Sequence, residues 1–342
     1  MHGGDVYSFA AEQGIKPETV LDFSANMNDF IRIRNLKINS VFIKNYPENN
    51  LNAYKSLVSE GKFKNENIAI IPGLTSFIHS FMSYINGNSI IISPAFTEYI
   101  NAHTDSYRVV FPFDIINKNP EIIENYNFNT LFLVYPDNPT GQLISKESLI
   151  KILDICVKKK SRLFLDESFI WFVNKREIDE AEFIRIYPNL IIGRSLTKIL
   201  SIPGLRLAYI LSSSENINEI EKTLSPWGIN QPALLYLRNC DMNFYGIAQK
   251  TEVERNYVIK SLEKLGFSLI GSPRANFATF RMPGKFDVIK LREFLAKNRM
   301  MIRVLEEYPE FGINYIRIGI KKREKNRSLI KFIREYAGEF HD

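Results

Sequence analysis

Between about residues 66 and 212, short apolar runs recur: Ile68-Ala69-Ile70-Ile71, Ser89 to Ser93, Thr130 to Tyr135, Arg162 to Asp166, Leu190 to Arg194 and Leu207 to Leu211. A strand with one wet face alternates apolar and polar residues. These runs are apolar almost throughout, as strands covered on both faces are. Amphipathic stretches separate them, so the pattern predicts an α/β core, a mostly parallel sheet flanked by helices. One helix can be read in detail. Ser145 can cap it, Glu147 sits in its first turn, and Leu149, Ile152, Leu153 and Cys156 at i, i+3, i+4 and i+7 make one buried stripe. Lys158-Lys159-Lys160 then falls at the C-terminal end, where cations complement the macrodipole.

From about Asn230 the pattern changes to a helix through Glu252 to Leu265, a strand at Phe277 to Arg281, a helix near Val288 to Asn298 and a strand at Tyr315 to Ile320. That is a separate α+β lobe. The first 30 residues are too few to fold alone, and the apolar run broken by Asp22-Phe23-Ser24-Ala25-Asn26 is expected to pack on this lobe. The expected organisation is a large α/β domain over 31–232 and a small α+β domain made of 1–30 together with 233–342.

The length of 342 residues fits two domains, since single cores stop growing near roughly 250–300 residues. At 45% hydrophobic and 24% charged residues the composition is globular, not disordered or collagenous. Cys156 and Cys240 are far apart and lack zinc or redox spacing, so neither a disulfide scaffold nor a metal site is expected. Met1 to Asp5 shows no basic-then-apolar leader, and no apolar run approaches the roughly 18 residues of a membrane helix, so a soluble cytoplasmic protein without a membrane partner is expected. Lys and Arg exceed Asp and Glu by 44 − 38 = 6. The excess is scattered, which favours a solvated surface, with attraction of small anions second and no nucleic-acid partner.

Three segments carry chemistry. Gly193-Arg194-Ser195-Leu196-Thr197-Lys198 follows a strand and Pro203-Gly204-Leu205-Arg206 precedes the next; together they could surround a phosphate while presenting an amine, although a loop lysine is also a commonplace surface residue. Asp166 ends a strand at the sheet edge where α/β proteins bind ligands. Tyr135-Pro136-Asp137-Asn138-Pro139-Thr140-Gly141 is a shaped loop, or ordinary turn chemistry.

Joined in order, Asn138-Pro139-Thr140-Gly141, Asp166 twenty-eight residues on, Lys198 thirty-two further and Arg206 eight beyond resemble the fold-type-I pyridoxal phosphate (PLP) enzymes over nearly the whole chain. The resemblance implies a large domain with a mostly parallel seven-stranded-type sheet, a smaller α+β domain, and pyridoxal 5'-phosphate as cofactor. It gives Lys198 the covalent imine to the cofactor, Asp166 the ring nitrogen, Asn138 the ring oxygen and Phe96 the ring face. It gives the cofactor phosphate to Arg206, Ser195, Thr197 and the Gly73-Leu74-Thr75 turn that opens the helix through Phe77 and Phe81. Tyr46-Pro47-Glu48 is similar to a stretch with which related aminotransferases reach the neighbouring subunit's cofactor, which implies a homodimer; a surface Tyr before Pro is an equally ordinary reading.

Within that family, His2-Gly3-Gly4-Asp5 and Leu21-Asp22-Phe23-Ser24-Ala25-Asn26-Met27-Asn28 resemble the openings of the threonine-phosphate decarboxylases of cobalamin biosynthesis. Phe169, three residues after Asp166, points the same way, because related aminotransferases commonly carry Tyr there. The resemblance assigns the substrate carboxylate to Arg317 and the substrate phosphate to Arg303, His2, Gly3 and Asn26, with Asn138 also at the substrate. The implied reaction is decarboxylation of O-phospho-L-threonine to (R)-1-aminopropan-2-yl phosphate. One departure stands out: Asp29-Phe30-Ile31 replaces the usual Pro-Leu-Gly. O-phospho-L-serine decarboxylation to ethanolamine phosphate for a norcobamide-type cofactor therefore stays open, as does histidinol-phosphate aminotransfer. A PLP-binding regulator or a nucleic-acid module finds no helix-turn-helix extension ahead of the core to support it.

Overall fold

The six apolar runs of the central region are strands in the computed structural model, which describes residues 3–33, 35–85, 87–102, 108–308 and 310–338. A seventh strand joins them. In chain order they are β1 (Ile68–Ile71), β2 (Ser89–Ser93), β3 (Arg108–Pro112), β4 (Thr130–Val134), β5 (Arg162–Asp166), β6 (Leu190–Ser195) and β7 (Ala208–Ser212). They form one sheet in the order β1-β7-β6-β5-β4-β2-β3. From β6 to β3 every pairing is parallel, whereas β7 runs antiparallel to both its neighbours. The unexpected strand, β3, lies at the edge, where a proline costs no ladder bond. Its Arg108 and Pro112 bracket only three apolar residues, which hid it among loop patterns.

Every residue of β1, β2, β4, β6 and β7 is buried, as a sheet covered on both sides requires. Helix α1 (Leu74–Ile85) brings Leu74, Phe77, Ile78 and Phe81 into this core. Phe77 and Phe81 stack at 5.1 Å, and each lies 6.0 Å from Phe164 of β5. The close approach of α1 depends on Gly193 in β6: a Cβ there would lie 2.8 Å from both Leu74 Cδ1 and Phe164 Cζ. Helix α2 (Lys146–Lys158) is capped by Ser145, whose hydroxyl accepts from the Ser148 N–H, and it buries Leu149, Ile152, Leu153 and Cys156.

The chain divides into two compact units, one of Arg32–Asn138 and Leu143–Tyr245, the other of Met1–Ile31, Pro139–Gln142 and Gly246–Asp342. The helix Gln231–Asn239, expected in the smaller domain, is counted with the larger unit. The reason is specific: Arg238 donates to Glu48 at 2.8 Å and to the Tyr54 hydroxyl at 2.7 Å, while Leu234 and Leu237 are fully buried.

In the smaller unit, β8 (Ser268–Ile270), β9 (Phe277–Arg281), β10 (Arg303–Val304) and β11 (Tyr315–Gly319) form an antiparallel sheet in the order β10-β11-β9-β8. Helices α3 (Ile247–Glu263), α4 (Val288–Lys297) and α5 (Arg323–Gly338) contribute Val258, Leu262, Leu291, Leu295, Leu329 and Ile333 to its core. The N-terminal segment belongs here because Leu21–Asp22 pairs with Met300–Met301 and Phe23 is sealed in the same core. Among the described residues no helix is long and apolar enough to cross a membrane.

Candidate active site

Strand register in the larger unit sets Val134, Asp166 and Gly193 side by side at the carboxyl ends of β4, β5 and β6. Asp166 is buried, and its carboxylate accepts from the Ser168 N–H through Oδ1 and from the Tyr99 hydroxyl through Oδ2, each at 2.8 Å. Burial raises the Asp166 pKa above the carboxylate range, while those hydrogen bonds and the charge of Lys198 pull it back. Burial and the Asp166 charge push the Tyr99 phenol well up, so it stays a donor. Lys198 sits half-buried in the helical turn Leu196–Ile199, immediately after β6. Asn138 is buried four residues beyond β4.

An anion cradle lies in the same unit. Gly73 precedes α1 with φ +87°, and a Cβ on it would meet the Arg206 guanidinium at 3.0 Å. Arg206 itself has φ +54°. A glycine turn at the head of a twelve-residue helix, against a guanidinium, presents N–H groups and positive charge together. Ser195 and Thr197 are buried at the end of β6 and in the turn after it, and Phe96 is half-buried against the aromatic core. These groups fit pyridoxal 5'-phosphate: a desolvated carboxylate suited to a cationic ring nitrogen, an amine within its electrostatic reach, and a cradle for a phosphate dianion. Tyr46 is not among the residues so joined; it is 79% exposed and stacks on Trp227 at 4.8 Å. Among the described residues no cluster suited to a metal ion is found.

In the smaller unit, Arg303 and Arg317 stand directly opposite each other across β10 and β11, both buried. Burial lowers the pKa of both, Arg317 to about 10, with the Arg303 charge adding to the effect on Arg317. Arg303 is ion-paired with Glu307. Arg317 Nη2 donates to the Ser24 carbonyl at 2.8 Å. Ser24 in turn donates to Asp22 Oδ1 at 2.6 Å, and its hydroxyl accepts from the Gly4 N–H at 2.9 Å. Gly3 is seated so closely that a Cβ would meet the Ser24 carbonyl oxygen at 2.6 Å. Gly3, Ser24 and Arg303 line a cavity of about 450 Å³. Asn26 is buried nearby in sequence, and its Oδ1 has no hydrogen-bond partner among the described residues. His2 lies outside the described residues.

Residues 39–333 match the family of class I and II aminotransferases. The chain belongs to that family. It is therefore an enzyme of the PLP-dependent aminotransferase fold, and pyridoxal 5'-phosphate is its cofactor. A histidinol-phosphate aminotransferase of Archaeoglobus fulgidus is 29% identical, over 95% of this chain and 96% of that one. A threonine-phosphate decarboxylase of Salmonella typhimurium is 27% identical, over 97% of this chain and 95% of its own length. The crystal structure of histidinol-phosphate aminotransferase from Sinorhizobium meliloti superimposes with a TM-score of 0.79 at 18% identity, covering 97% of this chain and 95% of that one. The larger unit's seven-stranded sheet is thus the fold-type-I sheet of the family.

Sequence reasoning about this class I and II family member missed two features. Tyr99 is the first; it lies three residues after Phe96, one helical turn on, and that spacing was the available signal. The second is a buried ionic cluster beside the site. Arg194, between Gly193 and Ser195, is fully buried and pairs with Glu167 at 2.7 Å, Glu180 at 2.9 Å and Glu60. Arg176 pairs with Glu180 at 3.5 Å and lies 4.0 Å from Glu60. Burial, aided by the Glu180 charge, raises Glu167 to about 7 against the pull of Arg194. Three carboxylates thus surround two guanidiniums.

Proposed function

We propose that this enzyme decarboxylates O-phospho-L-threonine to (R)-1-aminopropan-2-yl phosphate, the aminoalcohol unit of a cobalamin-type nucleotide loop. The observation that carries the reading is the buried, opposed pair Arg303 and Arg317, with Arg317 bonded to the same Ser24 on which Gly3 and Gly4 are seated. A substrate with a carboxylate at one end and a phosphate at the other supplies an anion for each guanidinium. Phe169, buried three residues after Asp166, supports loss of carbon dioxide over transamination by the resemblance drawn above. The Salmonella relative bears the corresponding name.

When bound, pyridoxal 5'-phosphate supplies an electron sink for the pair left at Cα. The chain's own residues do the rest. Lys198 would hold the cofactor covalently, and its amine would carry the proton returned to Cα. Asp166, held by Tyr99 and Ser168, keeps its negative charge toward the ring nitrogen. Arg206, Ser195, Thr197 and the Gly73-Leu74-Thr75 turn hold the cofactor phosphate, while Asn138 and Phe96 orient the ring. Arg317 takes the substrate carboxylate; Arg303, Asn26, Gly3 and His2 take the substrate phosphate. Fixing both ends orients the Cα–carboxylate bond for cleavage. Tyr46, exposed with Trp227, Val41 and Ile43 in the larger unit, suits a homodimer contact that reaches the neighbouring cofactor.

A second reading, histidinol-phosphate aminotransferase, is favoured by the Archaeoglobus relative. Purified enzyme incubated with O-phosphothreonine and no keto acid separates the two. Carbon dioxide and aminopropanol phosphate are expected; turnover that requires 2-oxoglutarate would overturn the proposal. A parallel incubation with O-phosphoserine ranks that substrate, since one methyl is worth only about 1 kcal/mol in an apolar pocket. Lys198→Ala should lack the visible band of the bound cofactor.

A further inference from the structure

The segment that carries Asn26 is held on several successive polar groups, all within the smaller unit. The Ala25 and Met27 carbonyls both accept from the buried Lys321 Nζ at 3.4 Å. Between them, the Asn26 carbonyl accepts from Asn276 Nδ2 at 2.9 Å. Gly319 makes room: a Cβ there would meet the Ala25 and Phe23 carbonyl oxygens at 3.0 and 3.1 Å. The segment ends at Asp29, the residue that stands where a proline is usual. Its Oδ2 accepts from the Lys322 N–H at 2.9 Å and its Oδ1 from Lys325 Nζ at 2.6 Å.

Lys322 and Lys325 lie at the head of α5, so Asp29 supplies this sixteen-residue helix with the carboxylate that its N-terminus favours, from outside the helix. A solvated ion pair contributes little, but the Asp29 side chain is only 15% exposed and uses both oxygens. The flanking carbonyls are committed to Lys321 and Asn276; the Asn26 Oδ1 is buried with no hydrogen-bond partner among the described residues, and its Nδ2 is the group able to donate to an anion.

We propose that Asp29 is a positioning residue for the substrate: clasped to Lys322 and Lys325, it fixes the Asn26 amide against the phosphorylated end and thereby sets the preference between phosphothreonine and phosphoserine. An ionic clasp to α5 here does what a proline does by stiffening the chain. The inference rests on the assignment of Asn26 to the substrate phosphate made under the proposed function.

The test is steady-state kinetics of the holoenzyme with O-phosphothreonine and O-phosphoserine, for the parent, Asp29→Asn, Lys325→Met and the charge exchange Asp29→Lys with Lys325→Asp. Asp29→Asn should raise KM for phosphothreonine by roughly tenfold, change kcat by less than about threefold, and alter the ratio of kcat/KM between the two substrates. Lys325→Met should do the same more weakly, and the charge exchange should recover part of the lost KM. Melting temperature and the cofactor's visible band, recorded for each variant, separate this from unfolding. If the parent is active and folded Asp29→Asn leaves KM and the substrate ratio alone, the clasp is a fold staple and the inference is wrong. If the parent decarboxylates neither compound, the functional reading fails first and takes the inference with it.

Discussion

Arg303 and Arg317 are opposite partners on adjacent antiparallel strands, and both are buried. Like charges directly opposite destabilise a sheet, and burial adds a desolvation cost. Glu307 balances one of the two charges, and under the proposed function a substrate anion meets the other. Arg303→Met relieves Arg317 but strands Glu307, whose Oε1 is buried, so it should melt lower than the parent. Its KM for a phosphorylated substrate should rise about tenfold to a hundredfold, as for a lost charge-assisted hydrogen bond. A melting scan and a KM measurement on one preparation check both; a lower melting point with unchanged KM would make the pair structural.

Tyr99→Phe removes the donor to Asp166 Oδ2 in a buried setting. The carboxylate then loses a stabilising bond, its pKa rises further, and its hold on a cationic ring weakens. Affinity of the apoenzyme for pyridoxal 5'-phosphate should fall by about tenfold, measured by titration of cofactor absorbance. Thermal stability of the apoenzyme should fall by about 1–3 kcal/mol, since the buried carboxylate oxygen is left without its donor.

Much of this architecture was legible before any coordinates, because buried parallel strands declare themselves as unbroken apolar runs and because Asn138, Asp166, Lys198 and Arg206 sit at strand ends in a fixed order. Edge strand Arg108–Pro112 was not legible, since an arginine and a proline leave only three apolar residues between them. Nor was Tyr99, whose partner lies 67 residues away. The Arg194 cluster unites side chains from four separate stretches of chain, and no local pattern can display that. Asp29 was visible only as an oddity; its meaning came from Lys322 and Lys325, nearly three hundred residues on.

The Arg194 cluster gives stability a distinct pH dependence. Glu167 is pushed up to about 7 by burial, above the ordinary 4.5 of an unfolded glutamate. A raised acid holds its proton in the folded chain while the unfolded chain has already released it. Its contribution is therefore present below about pH 4.5 and is lost as pH rises through about 7. Asp166, also raised, acts in the same direction in the apoenzyme. Urea midpoints of the apoenzyme should fall between pH 5 and 7, and Glu167→Gln should flatten that slope. Arg194→Met, which strands buried carboxylates, should cost about 3–5 kcal/mol.

Gly3→Ala places a methyl where the Ser24 carbonyl oxygen lies 2.6 Å away, and that oxygen is main chain already engaged by Arg317. The N-terminal residues must shift. If they contact the substrate phosphate, KM for phosphothreonine rises while the cofactor's visible band, set by groups of the larger unit, stays as in the parent. An unchanged KM removes Gly3 from the substrate site.

Phe169→Tyr tests the reaction type itself. Phe169 is buried directly after the Asp166-Glu167-Ser168 strand end, at the start of the short turn Ile170–Phe172. A phenol introduced there costs free energy unless it finds an acceptor, and the ring oxygen of the cofactor is the acceptor used by related aminotransferases with Tyr at this place. A donor to that oxygen favours its anionic form, so the pH midpoint of the visible band should fall relative to the parent. The same bond steadies the ring for proton removal at Cα, so the ratio of keto product to carbon dioxide from phosphothreonine should rise when a keto-acid acceptor is supplied. Absorbance titration and product analysis read the two effects separately. A lowered midpoint with an unchanged product ratio would assign Phe169 to cofactor tuning alone, and leave the choice of bond to Arg303 and Arg317.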